Sequence, residues 1–205
     1  LIGNLDAVTT ISPSLKTCDQ RFIVSNPGEV LDRLQRPDTD VVIVPQSLSF
    51  DLDAIRFETP TQSQRSLVVC EDAEEQVAND LLSMGIDHRE LSIEMTRTVL
   101  LFAEMFRQHR LDVRYEVTDQ QSCPKFHCDN VFVRMLVTYF GPTTEFIDPE
   151  IPGDVHSVPR HALIFLKGHK HPTYQHRILH RSPLPSKGEK RFCMVVNFYD
   201  WLPTR

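Results

Sequence analysis

Three features of the sequence predict an α+β fold in which a mainly helical first half, residues 1–107, supports a mainly β second half, residues 108–205. Between residues 71 and 109, apolar side chains recur at helical spacing. From residue 110 onward they alternate with polar ones or run in short blocks, as strands do. Pro142, Pro149, Pro152, Pro159, Pro172, Pro183 and Pro185 fall between those blocks. Short strands separated by Pro and Gly turns indicate an antiparallel sandwich or barrel.

Each element has its own signal. Asn26-Pro27-Gly28 is a turn, and Glu29 to Gln35 is a short helix with Val30, Leu31 and Leu34 on one side. Val41 to Val44 is an apolar run closed by Pro45, which reads as a buried strand. Thr59 to Ser63 is polar and reads as a loop, followed by a strand at Leu67 to Cys70. Glu71 to Met84 is a helix: its acidic first turns suit the positive end of the helix dipole, and Gly85 stops it. Ser92 to His109 is a longer helix with a broad apolar stripe through Ile93, Thr96, Val99, Leu100, Ala103 and Phe106. Leu111 to Val117 alternates strictly, as a half-buried strand does. Val131 to Phe140, His161 to Lys167 and Arg191 to Phe198 complete the predicted strands.

At 205 residues the chain can bury a sizeable core, and 40% apolar with 24% charged residues is ordinary for a globular protein. A formal net charge of −6 argues against nucleic-acid or membrane-surface binding, which leave a basic signature. No apolar run approaches a membrane span, and the first ten residues lack the basic-then-apolar pattern of a secretory signal. Cys18, Cys70, Cys123, Cys128 and Cys193 are odd in number and thinly spread, which points to reduced thiols and a cytoplasmic setting. Neither the oligomeric state nor the substrate can be read from these features.

The stretch that carries chemistry is CPKFHCDNVFVRMLVTYFGPTTEFID, residues 123–148. On an extended chain, side chains two apart point the same way, so His127 and Asp129 share a face and Cys128 takes the other. An imidazole beside a carboxylate is two-thirds of the two-histidine, one-carboxylate set that holds non-haem iron(II) with open positions. His156, His161, His169, His171, His176 and His180 are the candidates for the third ligand. His180, after Ile178-Leu179 and before a Pro-rich turn, is preferred. It lies eleven residues before Arg191, a spacing that suggests a hairpin with the imidazole and guanidinium side by side. A guanidinium there can take the far carboxylate of a dicarboxylate cosubstrate such as 2-oxoglutarate. His88-Arg89-Glu90 fits a looser form of the motif but lies between two helices, with no strand context.

Residues 123–148, together with ILHRSP and GEKRFCMVVNF, resemble the bacterial family catalogued as domain of unknown function 1826. The likeness is good over residues 110–200 and weak before them. The family's turn after the strand usually reads Gly-Pro-Gly-Thr-Glu, and Thr143 here replaces the middle glycine. In motif order the family is similar to the iron(II)- and 2-oxoglutarate-dependent oxygenases. That resemblance implies a double-stranded β-helix barrel of the jelly-roll or cupin type. It also implies His127, Asp129 and His180 as metal ligands and Arg191 as the cosubstrate anchor. Many of those oxygenases carry a hydroxyl residue two positions after the arginine, where this chain has Cys193. If the strand register holds from residue 127, Val131, Val133, Met135, Val137 and Tyr139 share the ligands' face. Arg191, Cys193, Val195 and Asn197 form the matching face of the last strand, which makes Tyr139 and Asn197 cosubstrate-pocket candidates.

Plainer readings stand beside these. His127 and Asp129 can be a hydrogen-bonded pair closing a strand, and Arg191 can pair with Glu145 or Glu189. Cys123 and Cys128 can be core thiols. A non-catalytic metal-binding barrel using zinc, with Cys123 or Cys128 recruited, is the alternative from another class; the resemblance suggests it, because genes of that family often lie near zinc-handling genes. A metal-free interaction module is a third.

Overall fold

The computed structural model describes residues 22, 26–52, 61–150 and 154–199. Trp201, which the sequence suggests as an anchor of the C-terminus together with Phe198, lies outside them. Three α-helices occur among these residues: α1 (Val30–Gln35), α2 (Ala73–Ser83) and α3 (Arg89–Phe106). The rest is mostly antiparallel sheet. Its strands are β1 (Val41–Val44), β2 (Gln62–Val69), β3 (Arg110–Thr118), β4 (Val133–Phe140), β5 (Glu145–Ile147), β6 (Val155–Ser157), β7 (Leu163–Lys167), β8 (Leu179–Arg181) and β9 (Arg191–Phe198). They form a six-stranded sheet in the order β1-β7-β4-β9-β3-β2 and a three-stranded sheet in the order β6-β5-β8. No helix among the described residues is long and apolar enough to cross a membrane.

The six-stranded sheet separates two cores, and strand alternation decides which side chain enters which. Val42, Val44, Val113, Tyr115, Met135, Val137, Phe165, Met194 and Val196 pack with helix residues such as Leu34, Val77, Met95 and Phe102. The intervening residues Val41, Ile43, Leu136, Ile164, Leu166 and Val195 pack with Phe146, Val158 and Ile178 on the side of the smaller sheet. The layers are therefore helices, large sheet and small sheet. On β3 the second face carries Asp112, Arg114 and Glu116 instead of apolar residues. At that end of the sheet the second core gives way to a polar cavity.

The helix-then-strand division holds only in part. β1 and β2 come from the first half of the chain yet belong to the large sheet, with β1 paired to β7 and β2 to β3. Residues 1–107 thus supply both edge strands as well as the helices. β2 is twice the predicted length because Gln62 to Ser66 pair with β3 through backbone bonds that polar sequence does not prevent. The three-residue strands β5, β6 and β8 are too short to leave a periodic signal.

Phe102 joins the helical layer to the sheet. Its ring lies 5.3 Å from Phe198, 4.7 Å from Phe106 and 6.4 Å from Phe165, and it is fully buried. Phe102→Ala is expected to lower unfolding free energy by about 3–5 kcal/mol in denaturant titrations.

Candidate metal centre

β4 begins only at Val133, and the segment that precedes it is irregular. Within that segment His127 makes an isolated antiparallel bridge to His180, at the centre of β8. Each N–H donates to the other's carbonyl at 2.9 Å. Residues directly opposite in an antiparallel pair send their side chains to the same face. The two imidazoles accordingly lie 4.6 Å apart, centroid to centroid.

Two of the three candidate ligands, His127 and Asp129, are held by a partner away from the cluster. His127 Nδ1 lies 2.8 Å from the Lys125 carbonyl oxygen, which can only accept, so the neutral ring carries its proton there and keeps a lone pair on Nε2. Arg134 Nη1 contacts Asp129 Oδ1 at 2.6 Å. Asp129 Oδ2 is buried and makes no hydrogen bond, although His180 Nε2 stands 3.0 Å away. One ligand atom from each of His127, Asp129 and His180 lies within 4.8 Å of the others. Burial pushes the Asp129 carboxyl up, but His180, Arg134 and His127 outweigh it and hold it well below the usual carboxylate range. Two imidazole nitrogens and a carboxylate oxygen so close together form a donor set that can hold a borderline divalent metal ion.

Asp129 is placed by the turn after β7. Gly168 N–H donates to the Phe132 carbonyl (3.0 Å), His169 N–H to that of Asp129 (2.9 Å) and Lys170 N–H to that of Val131 (3.0 Å). A Cβ at Gly168 would stand 2.1 Å from Val131 O and 2.7 Å from Asp129 O, so this approach requires glycine. Arg134 is fixed in turn: its Nε donates to Asn197 Oδ1 at 2.8 Å, and Asn197 Nδ2 donates to Asp112 Oδ2 at 3.0 Å. Arg65 closes the chain by gripping Asp112 with Nε and Nη2.

A cavity of about 180 Å³ opens against the two histidines, lined in part by Arg114, Arg134, Leu136, Arg191, Cys193 and Val195. Arg191 is 3% exposed. Its Nε donates to Pro142 O (3.1 Å) and its Nη2 to Thr144 Oγ1 (3.1 Å), with Thr138 Oγ1 at 3.5 Å. These partners are neutral, and Arg191 forms no ion pair among the described residues: Glu145 pairs with Arg181 at 2.6 Å. The Gly141-Pro142 turn makes the Pro142 contact possible, because Gly141 (φ 77°) presses on the backbone of Lys190 and Arg191, where a Cβ would stand 2.0 Å from Lys190 O. Burial pushes the Cys193 thiol up, so it is a neutral neighbour of the guanidinium.

The structure brings His127, His180 and Arg191 to one cavity, with Asp129 beside the two histidines, but by a different route from the one the spacing suggested. β8 pairs with β5, whereas β9 pairs with β3 and β4, so residues 180 and 191 do not face each other across a hairpin. They meet because the two sheets face each other. Tyr139 is corrected: it lies 1% exposed in the helix-side core, away from the cavity. The break before Val133 shifts the alternation by one, so Arg134, Leu136 and Thr138 take the cavity side and Tyr139 the other. Asn197 has the expected orientation but reaches the centre through Arg134 instead of lining the cavity.

The other histidines are committed elsewhere. His156 stacks on Phe146 at 5.1 Å, His171 lies on Phe132 at 4.5 Å, and His169 and His176 flank Tyr174. His161 sits in a turn at φ 67°, and His88 caps α3 by accepting the Leu91 N–H. Cys123 is exposed at the cavity wall; Cys128 points its thiol toward the Asp129 and Lys167 carbonyls. Neither thiol belongs to the ligand cluster. Sequence reasoning missed Arg134, Arg114 and Thr144. The signal for Arg134 was a lone charge inside the apolar run VFVRMLV.

Residues 25–197 match the family described as protein of unknown function (DUF1826), and the chain belongs to it. No curated protein matches the chain. Among solved structures, it is similar to dioxygenase for auxin oxidation 1 from Arabidopsis thaliana in its 2-oxoglutarate complex. Identity is 10%, coverage is 84% of this chain and 86% of that one, and the TM-score is 0.48. An oxidoreductase of the 2OG-Fe(II) oxygenase family from Burkholderia pseudomallei gives 14%, 86%, 93% and 0.43 for the same four quantities. A Pseudomonas putida prolyl-4-hydroxylase gives 13%, 84%, 98% and 0.43.

Two variants test how the ligands are held. Arg134→Gln, which releases Asp129 Oδ1, is expected to weaken anaerobic iron(II) binding about tenfold to a hundredfold in a competition titration. Gly168→Ala displaces the backbone around Asp129 and is expected to weaken iron(II) binding by at least as much, with helical circular dichroism retained.

Proposed function

We propose that the protein is an iron(II)- and 2-oxoglutarate-dependent oxygenase built on a double-stranded β-helix. The observation that carries this reading is the coincidence of the His127, Asp129 and His180 cluster with a cavity that also holds a buried Arg191, which has no ion-pair partner among the described residues. A buried guanidinium without a carboxylate is costly unless an anion completes it. The distal carboxylate of 2-oxoglutarate has the charge and flat shape to do so, in two parallel hydrogen bonds.

Iron(II) with 2-oxoglutarate supplies, when bound, the oxidising chemistry that hydroxylates a C–H bond as the keto acid loses carbon dioxide. The chain's part is binding, orientation and shielding. The Lys125 carbonyl keeps His127 in the tautomer whose Nε2 can ligate. Arg134 occupies Asp129 Oδ1 and leaves Oδ2 as the oxygen that would hold the metal. Thr144, on the connection before β5, presents the hydroxyl beside Arg191 that position 193 does not supply. Leu136 and Val195 give the cavity apolar walls that limit water around the metal. A zinc-binding barrel without catalysis is the competing reading, and the placement of Cys123 and Cys128 outside the cluster gives it no support.

His127→Ala and Asp129→Ala are each expected to abolish anaerobic iron(II) binding with the fold intact. Arg191→Gln is expected to retain iron(II) but lose the weak visible charge-transfer band that 2-oxoglutarate produces in the wild type. Unchanged iron(II) affinity in both ligand variants contradicts the proposal.

A further inference from the structure

The charges around the cavity do not cancel once the proposed cofactors are counted. Arg114, Arg134, Arg181 and Arg191 bring four guanidinium groups to the wall. The carboxylates that meet them are three: Asp129 on Arg134, Glu145 on Arg181 and Glu116 beside Arg114. A divalent ion and doubly charged 2-oxoglutarate neutralise one another, and metal-bound imidazoles are neutral. One positive charge is left over in a partly buried site.

The geometry places the surplus on Arg114. The Asp129 and Glu145 contacts are both 2.6 Å, whereas Arg114 Nη2 stands 3.9 Å from Glu116 Oε2. Glu116 is also engaged through its other oxygen by the Ser122 hydroxyl. The Nε of Arg114 is buried with no hydrogen-bond partner, on a residue that lines the cavity. Across β2 and β3 its neighbour is Arg65, whose own charge is committed to Asp112, so no help comes from that side.

We infer that the substrate carries a carboxylate, and that Arg114 receives it at the cavity wall. This rests on the oxygenase reading above, which assigns Arg191 and the metal to 2-oxoglutarate and leaves Arg114 for the substrate. A carboxylate matches the single surplus charge and the flat donor edge of a guanidinium. A phosphate monoester brings about −1.5 to −2 at neutral pH and overshoots it.

Calorimetric titration of the anaerobic iron(II) protein, saturated with 2-oxoglutarate, uses acetate as the probe, acetamide as its neutral match and inorganic phosphate as the rival anion. Acetate is expected to bind saturably and acetamide not to bind. Arg114→Gln is expected to weaken acetate about tenfold or more while iron(II) and 2-oxoglutarate bind as in the wild type. Glu116→Gln, which removes the partial counter-charge, is expected to tighten acetate. No saturable acetate binding, equal binding of acetamide, preference for phosphate, or an Arg114→Gln variant that binds acetate normally would each overturn the inference. A wild-type protein that fails to bind 2-oxoglutarate sinks the oxygenase reading instead, and Arg191→Gln shows that outcome separately from any acetate response.

Discussion

Two backbone hydrogen bonds, between His127 and His180, hold the candidate centre together. They tie a segment that precedes a strand of the large sheet to the middle strand position of β8 in the small one. Because the residues are directly opposed, the same bonds that join the sheets also align two imidazoles on one face. Asp129 enters the cluster from the same segment, and the turn after β7 holds its backbone. The geometry of the candidate ligands is therefore a consequence of how the two sheets are fastened.

The electrostatics follow from that placement. A carboxylate between two imidazoles and a guanidinium stays ionised despite burial, because the opposing charges outweigh the loss of water. Arg134 is itself largely withdrawn from solvent, and burial disfavours its charge, so Asp129 and Arg134 stabilise each other. The chain from Arg134 through Asn197 and Asp112 to Arg65 carries this arrangement to the surface of β2, where Arg65 is half exposed. Arg191 has no such counter-charge among the described residues, and its hydrogen bonds go to a carbonyl and to hydroxyls. The contrast between the two arginines separates the one paired with a carboxylate from the one that meets only neutral groups among the described residues.

Much of this was legible in the sequence where periodicity speaks. β9 spans Arg191–Phe198 as read from the alternation, and α3 covers most of the predicted stripe. The cluster was legible because His127 and Asp129 lie two apart beside strand texture, with a histidine and an arginine further on. The path by which His180 arrives was not, since three-residue strands have no period and sheet-on-sheet packing leaves no local mark. Tyr139 was misplaced for a related reason: residues 128–132 are irregular, and one break in alternation exchanges the faces of every residue beyond it. Thr144 and Arg114 required the fold, because each matters only through a neighbour brought from another strand.

The central claim is that His127, Asp129 and His180 surround one metal ion with nitrogen and oxygen donors. X-ray absorption at the iron edge of the anaerobic iron(II) protein tests this most directly. The account predicts a first shell of nitrogen and oxygen only, with the outer-shell scattering of two imidazoles. A sulfur scatterer at about 2.3 Å, a thiolate distance, or a shell without imidazole scattering would contradict it.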